Sequence, residues 1–200
     1  MRKAAGGIED IKELFKDAPF EEKSLVAFQI NSYLRIWQRT AIISREKNGH
    51  VVSEMVPIKA CEFVEQQLCL AAALLELGVE KGDTVAIYSP NSARYAIELF
   101  AILSIGAVFV PVYPTTTEEE VDLLLRHSES RFVFAGDLMQ FQKAFAILNR
   151  VKSPLKKLMV NYHVDTGNPG VISYDELIRL GRRSGRIVQA AQMLRDVALD

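Results

Sequence analysis

Cysteine is scarce in this 200-residue chain: there are two, together with one tryptophan and three histidines. Cys61 and Cys69 lie eight apart in a segment that reads as helix, which separates their Cα atoms by about 12 Å. A disulfide needs less than about 7 Å, so these are expected to be small buried hydrophobes in a reducing compartment. His50, His127 and His163 are scattered, and no metal-ligand spacing results, so no metal site is expected. Net charge is also lacking, at -1, which gives no reason to expect nucleic acid or an anionic membrane surface as partner. The sign is nevertheless uneven, with 16 basic and 20 acidic residues in 1–150 against 8 and 5 in 151–200. The most apolar window, Tyr95 to Tyr113, is interrupted by Glu98, Gly106 and Pro111, so it reads as a helix followed by a strand rather than a membrane span. Met1 to Asp10 has a basic start without an apolar run, unlike a signal peptide. A soluble, cytoplasmic protein is expected. Gly-x-Gly-x-x-Gly and Gly-x-x-x-x-Gly-Lys-Ser/Thr are both absent, which removes the commonest phosphate-cradling loops.

What is present is a repeated β-α unit on a chain that is 49% apolar. Thr84–Tyr88 is a short β-rich run, and Ser89-Pro-Asn-Ser92 is turn chemistry in which Asn91 or Ser92 can cap a helix through Tyr95, Leu99, Ile102 and Leu103. Gly106 ends that helix and Ala107–Val112 reads as the next strand. A helix over about Glu118–His127, a strand at Arg131–Ala135, a helix around Leu138–Asn149 and a strand at Lys157–Asn161 follow. Strand starts recur at roughly 24 residues, the length of one β-α unit. These strands are apolar without alternation, the pattern of strands covered on both faces. The expected fold class is α/β: a doubly wound, mostly parallel sheet with helices on both faces. The helix from Tyr95 to Ile105 is apolar nearly all round and is expected to be deeply packed.

Upstream, Ala41–Ser44 and His50–Ser53 flank an Asn48-Gly49 turn signal, predicting a small β-hairpin near residues 41–56. Pro57 is expected to open a long amphipathic helix, with Cys61, Val64, Leu68, Ala71, Ala72 and Leu75 on one face, stopped by Gly78. Residues 1–40 read as a helical lead-in, with Ile8, Ile11, Leu14 and Phe15, then Leu25, Phe28, Leu34 and Trp37, as apolar faces. Residues 41–200 then form the α/β unit. Residues 162–172 read as a turn-rich loop. A helix over Ser173–Leu180 precedes a basic, poorly patterned tail.

Four clusters invite a functional reading. Thr115, Thr116 and Thr117 precede Glu118, Glu119 and Glu120, but successive helical residues point about 100° apart, so the three carboxylates cannot converge on one ion. A capping box, Thr117 with Glu120 or Thr116 with Glu119, accounts for them. Ser89–Ser92 sits where doubly wound folds bind anions, at a strand's carboxyl end facing a helix; capping alone explains it. His127, Ser128 and Glu129 are contiguous at a helix end, whereas a triad gathers its members from different elements. Arg179, Arg182, Arg183, Arg186 and Arg195 lack interleaved aromatics, favouring a solvated or cut-open face over nucleic acid. No catalytic, cofactor-binding or metal-binding residue can be assigned from these patterns.

The run Leu77-Gly-Val-Glu-Lys-Gly-Asp-Thr-Val-Ala-Ile-Tyr-Ser-Pro-Asn-Ser92, with Ile102-Leu-Ser-Ile-Gly-Ala-Val-Phe-Val-Pro-Val-Tyr-Pro114, closely resembles the N-terminal region of AMP-forming acyl-CoA synthetases, in the adenylate-forming superfamily. Further likeness lies at His127–Phe134 and Val171–Leu177, and Tyr113-Pro-Thr is similar to the long-chain fatty acid branch. The resemblance implies a parent reaction of fatty acid, ATP and CoA: acyl-AMP and pyrophosphate form first, then acyl-CoA and AMP, with Mg²⁺ offsetting phosphate charge. It also implies that the Ser/Thr/Gly-rich nucleotide loop with Pro-Lys-Gly follows a stretch like Arg195–Asp200, so this chain is expected to be truncated before it, inactive alone, and able to dimerise through the exposed face. Two other readings stay open: part of an acyl-AMP ligase that loads a carrier protein, and a non-catalytic doubly wound binding or scaffold module.

Overall fold

The structure is a computed structural model, described over residues 8–47 and 50–199. In chain order the elements are α1 (Ile8–Glu13), α2 (Leu25–Arg35), β1 (Thr40–Lys47), β2 (His50–Lys59), α3 (Ala60–Glu76), β3 (Thr84–Tyr88), α4 (Ala93–Ser104), β4 (Val108–Val112), α5 (Glu118–His127), β5 (Phe132–Ala135), α6 (Leu138–Leu148), β6 (Lys157–Val160), β7 (Val171–Ser173), α7 (Tyr174–Arg183) and α8 (Ile187–Leu199). β1 and β2 pair antiparallel as a hairpin. The other strands form one sheet of order β4-β3-β5-β6-β7 in which every pairing is parallel.

The unalternating strand composition has a direct structural cause. Successive side chains leave opposite faces of a strand, and here each face meets helices. Val85, Ile87, Phe132, Phe134 and Met159 enter one core with α2, α3, α4, α7 and α8. Ala86, Tyr88, Val133, Ala135, Leu158 and Val160 enter the other, closed by Val121 and Leu125 of α5 and Phe141, Ala144 and Ile147 of α6. The expected doubly wound architecture is therefore present. At the sheet's edge, Val108 donates its N–H inward to the Asp83 carbonyl. By alternation Pro111 faces outward, where its missing N–H removes a donor from the open edge of β4 and discourages strand addition.

Several local expectations are corrected. Pro57 does not open a helix: it lies in β2, opposite Ile43, and α3 begins at Ala60, with Glu62 reaching back to the Lys59 N–H. The hairpin expected near residues 41–56 is present and extends from Thr40 to Lys59, and its Asn48-Gly49 turn lies outside the described residues. α3, not α4, is the helix enclosed all round: Cys61, Phe63, Val64 and every residue from Gln67 to Leu74 are buried, whereas Tyr95, Leu99, Phe100 and Leu103 of α4 are only half-buried. α2 buries Val26, Ala27 and Ile30 and leaves Leu25 and Phe28 each 55% exposed, while the other two residues of the expected face, Leu34 and Trp37, do pack on the core. The loop read at 162–172 ends in a strand, β7, too short at three residues to show a pattern.

The tail is likewise no tail: α8 buries Ala190, Ala191, Leu194 and Ala198. Small side chains gave it a weak apolar stripe. Three arginines of this region pair with acids on other segments. Arg182 bonds Glu65, Arg186 bonds Glu76 and Arg195 bonds Asp17. These exposed pairs contribute modestly, each at most about 1 kcal/mol.

α3, α4 and α5 end alike. In each, the residue beyond the cap has positive φ (Gly78, Gly106 and Glu129) and the next N–H reaches back across the turn, from Val79 to Leu74, Ala107 to Ile102 and Ser130 to Leu125. Only the third uses a residue with a Cβ. Glu129→Gly is expected to stabilise the protein by about 0.5–1 kcal/mol, the left-handed penalty less the added unfolded-state entropy. Gly181→Ala should do the opposite, because a Cβ there would stand 1.8 Å from the Cys69 carbonyl oxygen at the crossing of α7 and α3. A loss of about 2–3 kcal/mol is expected. Urea unfolding of the two variants checks both signs.

Candidate functional site

A sheet of order β4-β3-β5-β6-β7 reverses direction once: the chain steps outward from β3 to β4, then returns past β3 to β5. At such a reversal the loops leaving the two central strands part to opposite sides, opening a crevice at their carboxyl ends. The structure has one there, of about 580 Å³. Ser89 to Ala93 form one wall, Gly136 and Asp137 the other, and Ile42 to Arg45 of the hairpin cover it.

Local sequence explains each wall. Gly136 is required by closeness, since a Cβ there would lie 2.1 Å from the Ser89 hydroxyl oxygen. Its N–H donates to the Tyr88 carbonyl, holding the two strand exits together. Ser92 accepts from the Tyr95 N–H at 3.0 Å and caps α4, resolving the choice between Asn91 and Ser92. Asp137 accepts from the Met139 and Gln140 N–H groups at 2.9 and 3.3 Å, while the Gln140 side chain accepts from the Asp137 N–H. Two helix N-termini thus border the crevice, but each is occupied by its own cap. A carboxylate already fills the anion position of α6, which opposes a phosphate there.

Behind the crevice a half-enclosed arginine fixes the sheet's carboxyl end. Arg94, in the first turn of α4, donates to the Asn161 carbonyl after β6 and lies 4.1 Å from the Tyr174 ring centroid. Its guanidinium also stands 3.7 Å from the Asp175 carboxylate. One side chain therefore joins the exits of β3, β6 and β7. Burial, with the Glu98 carboxylate nearby as the next cause, pushes the Tyr174 phenol far above its ordinary value, and its hydroxyl donates to Gln66 at 3.0 Å. Burial, and then Asp137, pushes Tyr162 up to about 12. With both phenols raised, Tyr162 and Tyr174 serve as fixed dipoles and packing surfaces rather than as acids or bases.

The clusters singled out in sequence fall where capping and packing place them. Thr117 accepts from the Glu120 N–H, and the Glu120 carboxylate accepts from the Thr117 N–H and hydroxyl, so the Thr117–Glu120 box is the one formed. Glu118 turns away to Arg150, which also holds Asp122. Ser128 donates to the Leu124 carbonyl and shares a hydrogen bond with Ser130, not with an imidazole, so His127, Ser128 and Glu129 form no relay. Cys61 and Cys69 are free and buried, and burial pushes Cys69 up to about 11. Among the described residues no three His, Cys, Asp or Glu side chains could hold a metal ion, and no helix is long and apolar enough to cross a membrane. Sequence reasoning missed the Gly136-Asp137 wall and Arg94. Asp-x-x-Gln at 137–140 is a legible capping box; Arg94 carries no signal, since its partners come from two distant turns.

A model of the AMP-binding enzyme family, "AMP-binding enzyme", matches residues 60–177. The long-chain-fatty-acid–CoA ligase FadD15 of Mycobacterium bovis is 41% identical over 78 residues, 39% of this chain and 13% of that protein. Acetyl-coenzyme A synthetase of Escherichia coli K12 is 30% identical over 154 residues, 74% of this chain and 21% of that one. The crystal structure of coronafacic acid ligase from Pectobacterium brasiliense superposes with a TM-score of 0.63 at 21% identity, over 77% of this chain and 29% of that chain, a likeness of fold. The chain therefore spans between 13% and 21% of the length of these two curated relatives.

Two capping boxes make stability pH-dependent. Hydrogen bonds from the Thr117 N–H and hydroxyl hold Glu120 below its ordinary 4.5, and those from the Ser173 hydroxyl and N–H do the same for Glu176. A depressed carboxyl adds stability that is present above its unfolded value and lost as pH falls through its folded one. Replacing both by glutamine keeps the boxes but removes the titration. The double variant should lose less stability than the parent chain between about pH 5 and pH 3, as read from urea midpoints across that range.

Proposed function

Because this chain belongs to the AMP-binding enzyme family, we propose that it forms part of an AMP-forming acid–thiol ligase that activates a fatty acid. One observation carries the reading: the family match over residues 60–177 spans α3 to the first turn of α7, and so takes in the whole parallel sheet and its crevice. In the proposed reaction a carboxylate oxygen attacks the α-phosphorus of ATP and the bond to the β-phosphate oxygen breaks, releasing pyrophosphate and leaving acyl-AMP. The thiol of CoA then adds to the acyl carbon, gives up its proton, and AMP leaves. Relatives named for long-chain fatty acids and for acetate differ widely in acid size.

The residues at hand suit a structural share in this chemistry. Both helix N-termini at the crevice carry their own caps, and the described residues supply no donor set for Mg²⁺, which would travel with the nucleotide phosphates. The sequence also holds no Ser/Thr/Gly-rich loop followed by Pro-Lys-Gly. The 200 residues alone are accordingly expected to bring about no adenylation. ATP–pyrophosphate exchange in the presence of acetate, octanoate or palmitate should be at background for the isolated chain. The protein in its natural reading frame should release AMP, not ADP, when given an acid and CoA. Exchange by the isolated chain, or ADP from the natural protein, would overturn the respective statement.

A further inference from the structure

The three main cavities differ in charge. The largest, at the amino ends of β3 and β5, sets Asp83 and Glu129 against Arg126 and Arg131. The crevice sets Arg45 against Asp137. The third, about 440 Å³ between α1 and α2, sets three cations (Lys12, Lys16 and Arg35) against the single carboxylate of Glu13. Only this one has a net charge among its lining residues, and it is positive.

Its floor is apolar. Phe15 is 2% exposed and belongs to the main core, and Ala18, Pro19 and Leu34 complete the surface. The one polar group in the wall, Asn31, is already satisfied: its amide accepts from the Phe20 N–H at 2.8 Å and donates to the Phe20 carbonyl at 2.7 Å. The floor therefore asks for no hydrogen bond and accepts hydrocarbon at no polar cost. At the mouth, Lys12 and Lys16 are one helical turn apart in sequence and are both exposed. Of the nearby acids, Asp17 is taken by Arg195. Glu22 stands 4.0 Å from Arg35, at the limit of an ion pair.

We propose that the cavity between α1 and α2 is a binding site for an amphiphilic anion, a single fatty carboxylate whose chain lies on Phe15, Ala18, Pro19 and Leu34 while its head meets Lys12, Lys16 and Arg35. Cavities of this size with an apolar lining and a few converging polar groups are the usual form of small-molecule sites. The site is separate from the crevice and does not depend on the ligase reading. It gives the helical lead-in a ligand of its own.

Isothermal titration calorimetry of the 200-residue chain with dodecanoate, kept below its micellar concentration, tests this. Saturable one-to-one binding is expected, weaker by about tenfold for butyrate, for dodecyltrimethylammonium and for the Lys12→Gln/Lys16→Gln variant, each change removing one half of the recognition. Lys12 and Lys16 are exposed, so that variant should fold, which its unfolding curve verifies; Lys152→Gln, elsewhere on the surface, should bind as the parent does. Absence of dodecanoate binding overturns the proposal, as does equal binding of the ammonium amphiphile or an unchanged affinity in the double variant. Binding to phosphatidylglycerol vesicles without binding of monomeric dodecanoate would assign the cations to a lipid surface and also overturn it.

Discussion

The crossing of α7 over α3 is the contact on which the rest of this fold depends. Gly181 lets the two backbones meet with no side chain between them, and Cys69 presents its carbonyl at that point. A buried helix needs neighbours on every side, and α3 obtains them from α1, α2, α4, α7, α8 and the hairpin. Its run Leu70-Ala-Ala-Ala-Leu74 is fully buried and mostly small, so those neighbours can approach closely and gain dispersion contacts along their length. The sheet then rests on this layer, and α5 and α6 close its far side.

That arrangement decides where chemistry can occur. With both faces of the sheet covered, ligands can reach the backbone only at strand ends, and the reversal between β3 and β5 opens the carboxyl end. Arg94 and Gly136 hold the exits there in register, one by spanning three turns and the other by having no side chain. Rigid walls with satisfied caps make a support rather than a phosphate cradle in themselves.

Legibility in the sequence followed the strength of local signals. The strands β3, β5 and β6 are readable because burial on both faces leaves polar residues only at their starts, Thr84 and Lys157, and α5 is readable because Thr117 and Glu120 specify its first turn. What failed were signals that only tertiary context supplies. Pro57 looked like a helix start, yet proline is also tolerated in a two-stranded hairpin, where one side of each strand needs no partner. Leu25 and Phe28 looked like a core face, but the deeper side of α2 is built from Val26, Ala27 and Ile30, whose bulk is less conspicuous. α8 was obscured by its alanines, and the crevice by the need to know strand order before its walls could be paired. Its glycine and aspartate, adjacent in sequence, meet Ser89 only through the β3–β5 pairing.

α2 is joined to this core by more than apolar contact. Gln29 of α2 and Gln67 of α3 exchange amide hydrogen bonds at 3.1 and 3.3 Å, and Gln67 also donates to Ser104 of α4 at 2.8 Å. Ser104 passes its own hydrogen to the Phe100 carbonyl. All three side chains are buried, so sliding α2 by one residue would strand several polar groups away from water, each costing about 1–3 kcal/mol. The satisfied polar network adds this penalty to the loss of apolar packing. The register it imposes is what brings Leu34 and Arg35 opposite Lys12, Phe15 and Lys16. The same network that attaches α2 to α3 and α4 thereby shapes the cavity whose lining carries a net positive charge.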